Sequence, residues 1–363
     1  MKKSLIALAV LGAFAGAASA QSSVTLYGIV DVNLQRTDPK AGTTTDPQAT
    51  TGVNGGHLAG NRWGLRGSED LGGGMRAIFQ LESGFSIDTG TSAQGGRLFG
   101  RQAYAGLAGG FGTLVAGRIA TFSSGTGAFD KFGALDPFRT GYGIGGFQAT
   151  FSSANSYRFD NTIAYLTPTM GGFSAGIGHT FRVDGSEQAG GSGNNNNGQI
   201  MYVNFSAGPL YGVITYDRLK IGEVAGDPTQ KHLQVGASYD LKVVKLSAAY
   251  AKEDDQYILA ASGPSGTLTG GQVAGSSAKA WAVGVVAPVG AHRFAGSYQK
   301  RDVDSFGATP EGDRKGFTLG YEYSLSRRTT FLASYADMKN DGSLKTTNNG
   351  GAKQMTVGLN HTF

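Results

Sequence analysis

The chain has no cysteine, so disulfide frameworks and thiolate metal sites are closed to it. Only nine of its 363 residues are proline, and charged residues make up just 16 %. No segment after the amino terminus offers the run of about 20 apolar residues that a spanning helix needs. The formal charge is +5, yet no clustered basic and aromatic platform appears, so nucleic acid is not an expected partner. What the chain does have is glycine, 60 residues of it. A length of 363 residues suits one large β domain. Composition alone fits a soluble β-solenoid as well as a closed barrel, and the ends of the chain decide between them.

Residues 1–20 read MKKSLIALAVLGAFAGAASA. Lys2 and Lys3 make a basic start, Leu5 to Ala15 an apolar run, and Ala18-Ser19-Ala20 a small-residue cleavage site. The apolar run is too short to span a bilayer, so this is read as a cleaved secretory signal peptide. Cleavage after Ala20 leaves Gln21 first and lowers the charge from +5 to +3, because two lysines and no acid depart. The expected product is an exported domain, 21–363, without a helical anchor.

From Ser23 onward the dominant period is two. In Asn61 to Arg66, Arg62 and Arg66 share one face while Trp63 and Leu65 share the other. Arg76, Ile78, Gln80 and Glu82 then alternate with Ala77, Phe79 and Leu81, and Arg97 and Arg101 are expected on one face of the next strand. Continued to the end, the alternation predicts sixteen strands, the later ones at 157–167, 172–182, 199–207, 210–219, 231–240, 243–252, 278–287, 291–301, 314–324, 328–337 and 352–363. Short turns alternate with long polar loops, the first long one at 37–57. An even strand count with this asymmetry is what a transmembrane β-barrel requires. Lipid offers the backbone no hydrogen-bond partner, so a spanning sheet must close. Val235, Ala237 and Tyr239, Phe317 to Tyr323 in alternation, and Phe331, Ala333 and Tyr335 are expected to face lipid. The last strand aligns Met355, Val357, Leu359, His361 and Phe363 on one face, and Phe363 is taken as an assembly signal.

The connection 119–156 is far longer than its neighbours and is flanked by Arg97, Arg101, Arg118 and Arg158. It carries Asp130 and Asp136 among glycines and aromatics. A connection of this length in a compact β protein is usually functional. It is expected to fold into the lumen as a constriction loop.

The blocks SSVTLYGIVDV, NRWGLRGSEDLGGGMRAIFQLESGF, GRLFGRQAYAGLAGGFGTLVAGR, SYRFDNTIAYLTPTMGGFSAG and VGLNHTF occur in this order. Together they resemble the general diffusion porins of the neisserial and β-proteobacterial branch, over the whole chain beyond the signal segment. The resemblance implies a sixteen-stranded antiparallel barrel, a homotrimer, and a third long loop folded inside. By matched blocks it implies a basic side of the pore eyelet at Arg62, Arg97 and Arg158, with Arg66 and Arg101 as neighbours on the same face. The implied acidic side is Glu82, Asp130 and Asp136. Such a pore passes small hydrophilic solutes and inorganic ions and needs no cofactor. Basic residues that at least balance the acids give an expected anion preference, and the surrounding partners are outer-membrane lipid and lipopolysaccharide.

Other motifs are weaker. Gly172 to Gly176 spells G-x-S-x-G, but Ser174 lies in an alternating strand with no helix after it, so no hydrolase is expected. Gly141 to Gly146 fits G-x-G-x-x-G without a βαβ unit around it. His57, His179, His232, His292 and His361 are widely spaced, form no metal-ligand cluster, and are expected at strand ends or interfaces. The rival to a pore is an adhesin or structural barrel with a plugged lumen, which solute conductance separates.

Overall fold

The computed structural model describes residues 23–43, 47–139, 143–151, 158–183, 185, 196–220, 229–255, 275–305, 310–345 and 350–363. The proposed signal peptide lies outside these residues.

Sixteen long strands form one closed antiparallel sheet. They are β1 (Ser23–Pro39), β3 (Arg62–Gly72), β4 (Met75–Gly84), β5 (Gln102–Gly109), β6 (Gly112–Ala120), β7 (Arg158–Leu166), β8 (Phe173–Thr180) and β9 (Asn197–Ala207). The second half is β10 (Leu210–Lys220), β11 (Thr229–Asp240), β12 (Lys245–Asp254), β13 (Ala278–Val289), β14 (His292–Val303), β15 (Gly312–Ser324), β16 (Thr329–Gly342) and β17 (Gly351–Thr362). A short extra strand, β2 (Thr50–Gly55), pairs with Val32–Thr37 beside the seam. Each long strand pairs with the next, and β17 returns to β1 in the register Ile29↔Thr362 to Pro39↔Ala352. An antiparallel ring closes only with an even number, so the strand parity read from the alternation is required by the geometry.

Alternation sorts the side chains. Leu26, Leu34, Ile214, Val235, Val283, Phe317, Leu319, Met355 and Val357 are exposed on the outer face. Their neighbours one residue away, such as Thr215, Gln234, Ala282, Thr318 and Thr356, are buried on the inner face. Closure at the seam is tight: Gly28 and Phe363 exchange both backbone hydrogen bonds at 3.1 Å, and a Cβ on Gly28 would strike the Phe363 ring. Glycine is required there because two strands and a terminal aromatic converge.

Three sequence expectations are corrected. The strand expected from Arg97 begins at Gln102, because residues 94–96 make a tight turn in which Gln94, Gly95 and Gly96 all have positive φ. The stretch 37–57 is not a loop throughout: β1 runs to Pro39, and β2 occupies part of the remainder. His232 lies three residues inside the start of β11 and is buried on the inner wall rather than at an interface, between Asp217 and Glu253.

The connection between β6 and β7 does not stay at the rim. Its backbone carbonyls accept hydrogen bonds from inner-wall side chains in sequence around the ring. Tyr211 of β10 donates to Lys131 at 2.6 Å, Lys245 of β12 to Ala134 at 2.9 Å, and Arg293 of β14 to Pro137. Thr318 of β15 and Gln299 of β14 both reach Gly145, and Arg301 reaches Thr150 at 3.0 Å. In the ring of sixteen, β14 stands eight places from β6, so the segment crosses the interior. Its apolar side fits the wall by volume: Phe132, Leu135, Phe147 and Phe151 pack on Ala249, Ala251, Ala280 and Ala282. Each such Phe contributes about 1.5–3 kcal/mol of burial. Gly236 and Gly284 leave room where Leu135 and Pro137 press against the sheet.

Candidate pore constriction

Opposite the bound loop, the inner wall of β3 to β7 carries a compact charged cluster. Its centre is Glu82, nearly buried on β4. One oxygen accepts from Arg101 Nε at 2.7 Å and lies 4.0 Å from Arg62. The other accepts from the Tyr27 hydroxyl at 2.9 Å. Tyr27 in turn accepts from Gln80, whose carbonyl takes the Tyr104 hydroxyl at 2.9 Å. Arg101 also reaches the loop, donating to Thr126 at 3.2 Å. The acid is therefore held on both sides by donors, which offsets the cost of removing it from water.

The second centre is Asp160. It accepts from Arg97 at 2.7 and 2.9 Å and from Arg118 at 2.5 Å. A bulge creates this contact: between Gly117 and Ile119 the β6–β7 register shifts, and Asn161 takes the left-handed conformation with φ 46°. Bulges re-aim side chains in this way, so Arg158, Phe159 and Asp160 are all buried on consecutive positions.

Arg158 completes the group. Its Nε donates to the Arg101 carbonyl at 3.0 Å, and among the described residues no carboxylate lies within ion-pairing reach. Arg66 stands nearer the short-turn rim with its guanidinium 5.1 Å from the Tyr27 ring centre, a cation–π contact. The structure thus brings together Arg62, Arg101, Arg158 and Glu82, with Arg97 linked through Asp160 and Arg66 alongside. Asp160 was not singled out from the sequence, because no alternation survives a bulge.

The loop aspartates are placed differently. Asp130 takes the amides of Gly125 at 2.7 Å and Gly133 at 2.8 Å. Its carboxyl is pushed up to about 7, since burial outweighs the pull of those amides and of Lys131. Asp136 takes the amides of Phe138 and Phe147 at 2.9 and 2.8 Å. Both side chains staple the loop to itself.

Exposure decides which sign water meets. The side chains of Glu82 and Asp160 are 4 % and 10 % exposed, as withdrawn as Arg101 and Arg118 at 7 % and 9 %, whereas Arg62 and Arg97 reach 14 % and 34 %. Six guanidinium groups surround two withdrawn carboxylates. Across the lumen, Arg139 and Arg293 pair with Glu322 at 3.1 and 2.5 Å, and Arg301 with Glu253 at 2.7 Å.

Comparison with known proteins places this architecture. The sequence profile described as Gram-negative porin matches residues 7–343. An outer membrane porin protein of Bordetella pertussis is 39 % identical, with 100 % of both chains covered. Outer membrane porin protein 32 of Delftia acidovorans is 34 % identical over 94 % of this chain and 90 % of its own. Among solved structures, an anion-selective porin from Comamonas acidovorans is 28 % identical and superposes at TM-score 0.74 over 94 % of this chain and 100 % of that one. The closed sixteen-stranded barrel, its internal arginine cluster and these relatives agree: the chain belongs to the Gram-negative porin family.

Proposed function

We propose that this porin forms a water-filled channel for passive diffusion of small hydrophilic solutes and ions across the outer membrane, with a preference for anions. The observation that carries the preference is the arginine cluster, six guanidinium groups around the buried Glu82 and Asp160. A narrow aqueous gap between low-dielectric walls focuses the field of its lining charges. Arginine-lined constrictions favour anions. The residues 119–156 act as the constriction loop, and Arg62, Arg97 and Arg66 face solute across from it, with the buried Arg101 and Arg158 adding their charge from behind. Glu82 holds the arginines in place, while Asp130 and Asp136 hold the loop.

The same reading has residues 1–20 removed on export and three copies assembled in the membrane. The barrel's outer apolar belt faces outer-membrane lipid, and its long-loop rim faces lipopolysaccharide; there Lys300, Lys315 and Lys339 stand cross-strand, each paired with an aspartate of its own strand. Proteoliposomes carrying the purified protein test the channel itself. Swelling in isotonic small sugars is the expected result, and swelling no faster than empty liposomes refutes the reading.

A further inference from the structure

The chain that follows β2 also turns inward. Gly56, with φ 76°, begins the turn. Asp31, fully buried on the inner face of β1, then accepts the backbone amides of His57 and Leu58 at 2.9 Å and of Ala59 at 3.3 Å. Three successive N–H groups on one carboxylate make an anion nest built from the chain's own acid. Asn360 of β17 donates to the same carboxylate at 2.9 Å, and the Asp31 amide donates to Asn61. His57 Nε2 lies 2.7 Å from the Ser334 hydroxyl on β16.

This cage delivers one apolar side chain to the inner wall at β14 and β16. Leu58 is 2 % exposed and packs with Phe138 of the constriction loop and with Ala295 and Leu332 of the wall. Phe138 lies between the carbonyl of Pro137, which accepts from Arg293, and Arg139, which pairs with Glu322. The far bend of the loop is therefore gripped by the wall on one side and by Leu58 on the other.

We infer that residues 56–61 form a second inward loop, a peg held by Asp31, whose Leu58–Phe138 contact fixes the far bend of the constriction loop and so the open cross-section of the pore. This rests on the channel reading above. Leu58 and Asp31 are positioning residues, since neither meets the solute. Removing the Leu58 side chain leaves a void under Phe138 that the loop can fill only by moving. The hydrogen-bonded barrel itself does not depend on that contact.

The test is single-channel recording of the full-length folded assembly in planar bilayers, with Leu58→Ala, Leu58→Met, Phe138→Ala, the double variant Leu58→Ala/Phe138→Ala, and Leu319→Ala on the outer face as a control. Leu58→Ala should raise open-channel noise and closure frequency several-fold and lower the closing voltage. Leu58→Met should behave as wild type, and the double variant should resemble either single alanine variant, because the two positions act as one contact. Circular dichroism and resistance to heat denaturation in detergent report whether each barrel is intact. Intact Leu58→Ala channels with wild-type noise, closure and conductance overturn the inference, as do strictly additive effects in the double variant. Absence of current from every protein, wild type included, overturns the channel reading instead.

Discussion

Arg101 donates its Nε to Glu82 at 2.7 Å, and both side chains are almost wholly withdrawn from water. Such a pair is worth little as stability in itself, but removing one partner strands the other. Arg101→Gln should therefore destabilise the barrel by about 3–5 kcal/mol. Glu82→Gln should cost a similar amount, because it leaves Arg101 and Arg62 without their carboxylate, and should make the pore more anion-preferring. Denaturant unfolding and bilayer selectivity, measured on the same preparations, check both.

Arg158 is the contrasting case. Its Nε binds only a carbonyl, and among the described residues no acid pairs with it. Arg158→Gln should leave stability within about 1.5 kcal/mol of wild type, the scale of one hydrogen bond, while reducing anion preference. A large stability loss with unchanged selectivity would mean that Arg158 is a structural residue.

The seam makes a steric prediction. Gly28→Val places a side chain where the Phe363 ring lies. Closure of β1 against β17 should fail or slow, seen as a lower yield of heat-resistant barrel in refolding, whereas Gly73→Ala in a turn with open space around it should fold normally but for strain from its positive φ.

Acid should loosen the peg. Burial pushes the His57 imidazole down to about 4 despite the nearby Asp31 charge. A histidine whose folded value lies below its unfolded one contributes fully above about 6.5. That contribution declines as pH falls towards 4, because the freed ring binds the proton more readily. The loss amounts to up to about 3 kcal/mol. Closure frequency should rise between pH 6.5 and 4 in wild type and much less in His57→Gln, since carboxylates common to both titrate equally in the two.

What the sequence disclosed follows from what alternation encodes. A period of two tells which face a side chain takes, so the lumen positions of Arg62 and Glu82 and the lipid positions of Phe317 and Met355 were readable. It says nothing where the period breaks. Asp160 is aimed by a bulge, Arg97 leaves the sheet before β5 begins, and the peg at 56–61 has no period at all. His232 shows a further limit: its strand was correctly expected, but the pairing with Asp217 and Glu253 comes from two other strands. Interiors of this kind are assembled by long-range contacts that local pattern does not carry.

The most direct test of the central claim is the zero-current potential of the purified protein in a planar bilayer under a potassium chloride gradient. The account predicts the sign for chloride passing more readily than potassium, with the potential moving towards zero in Arg62→Gln, Arg97→Gln and Arg158→Gln. A potential showing potassium preference in the wild-type pore, or no current at all, would contradict it.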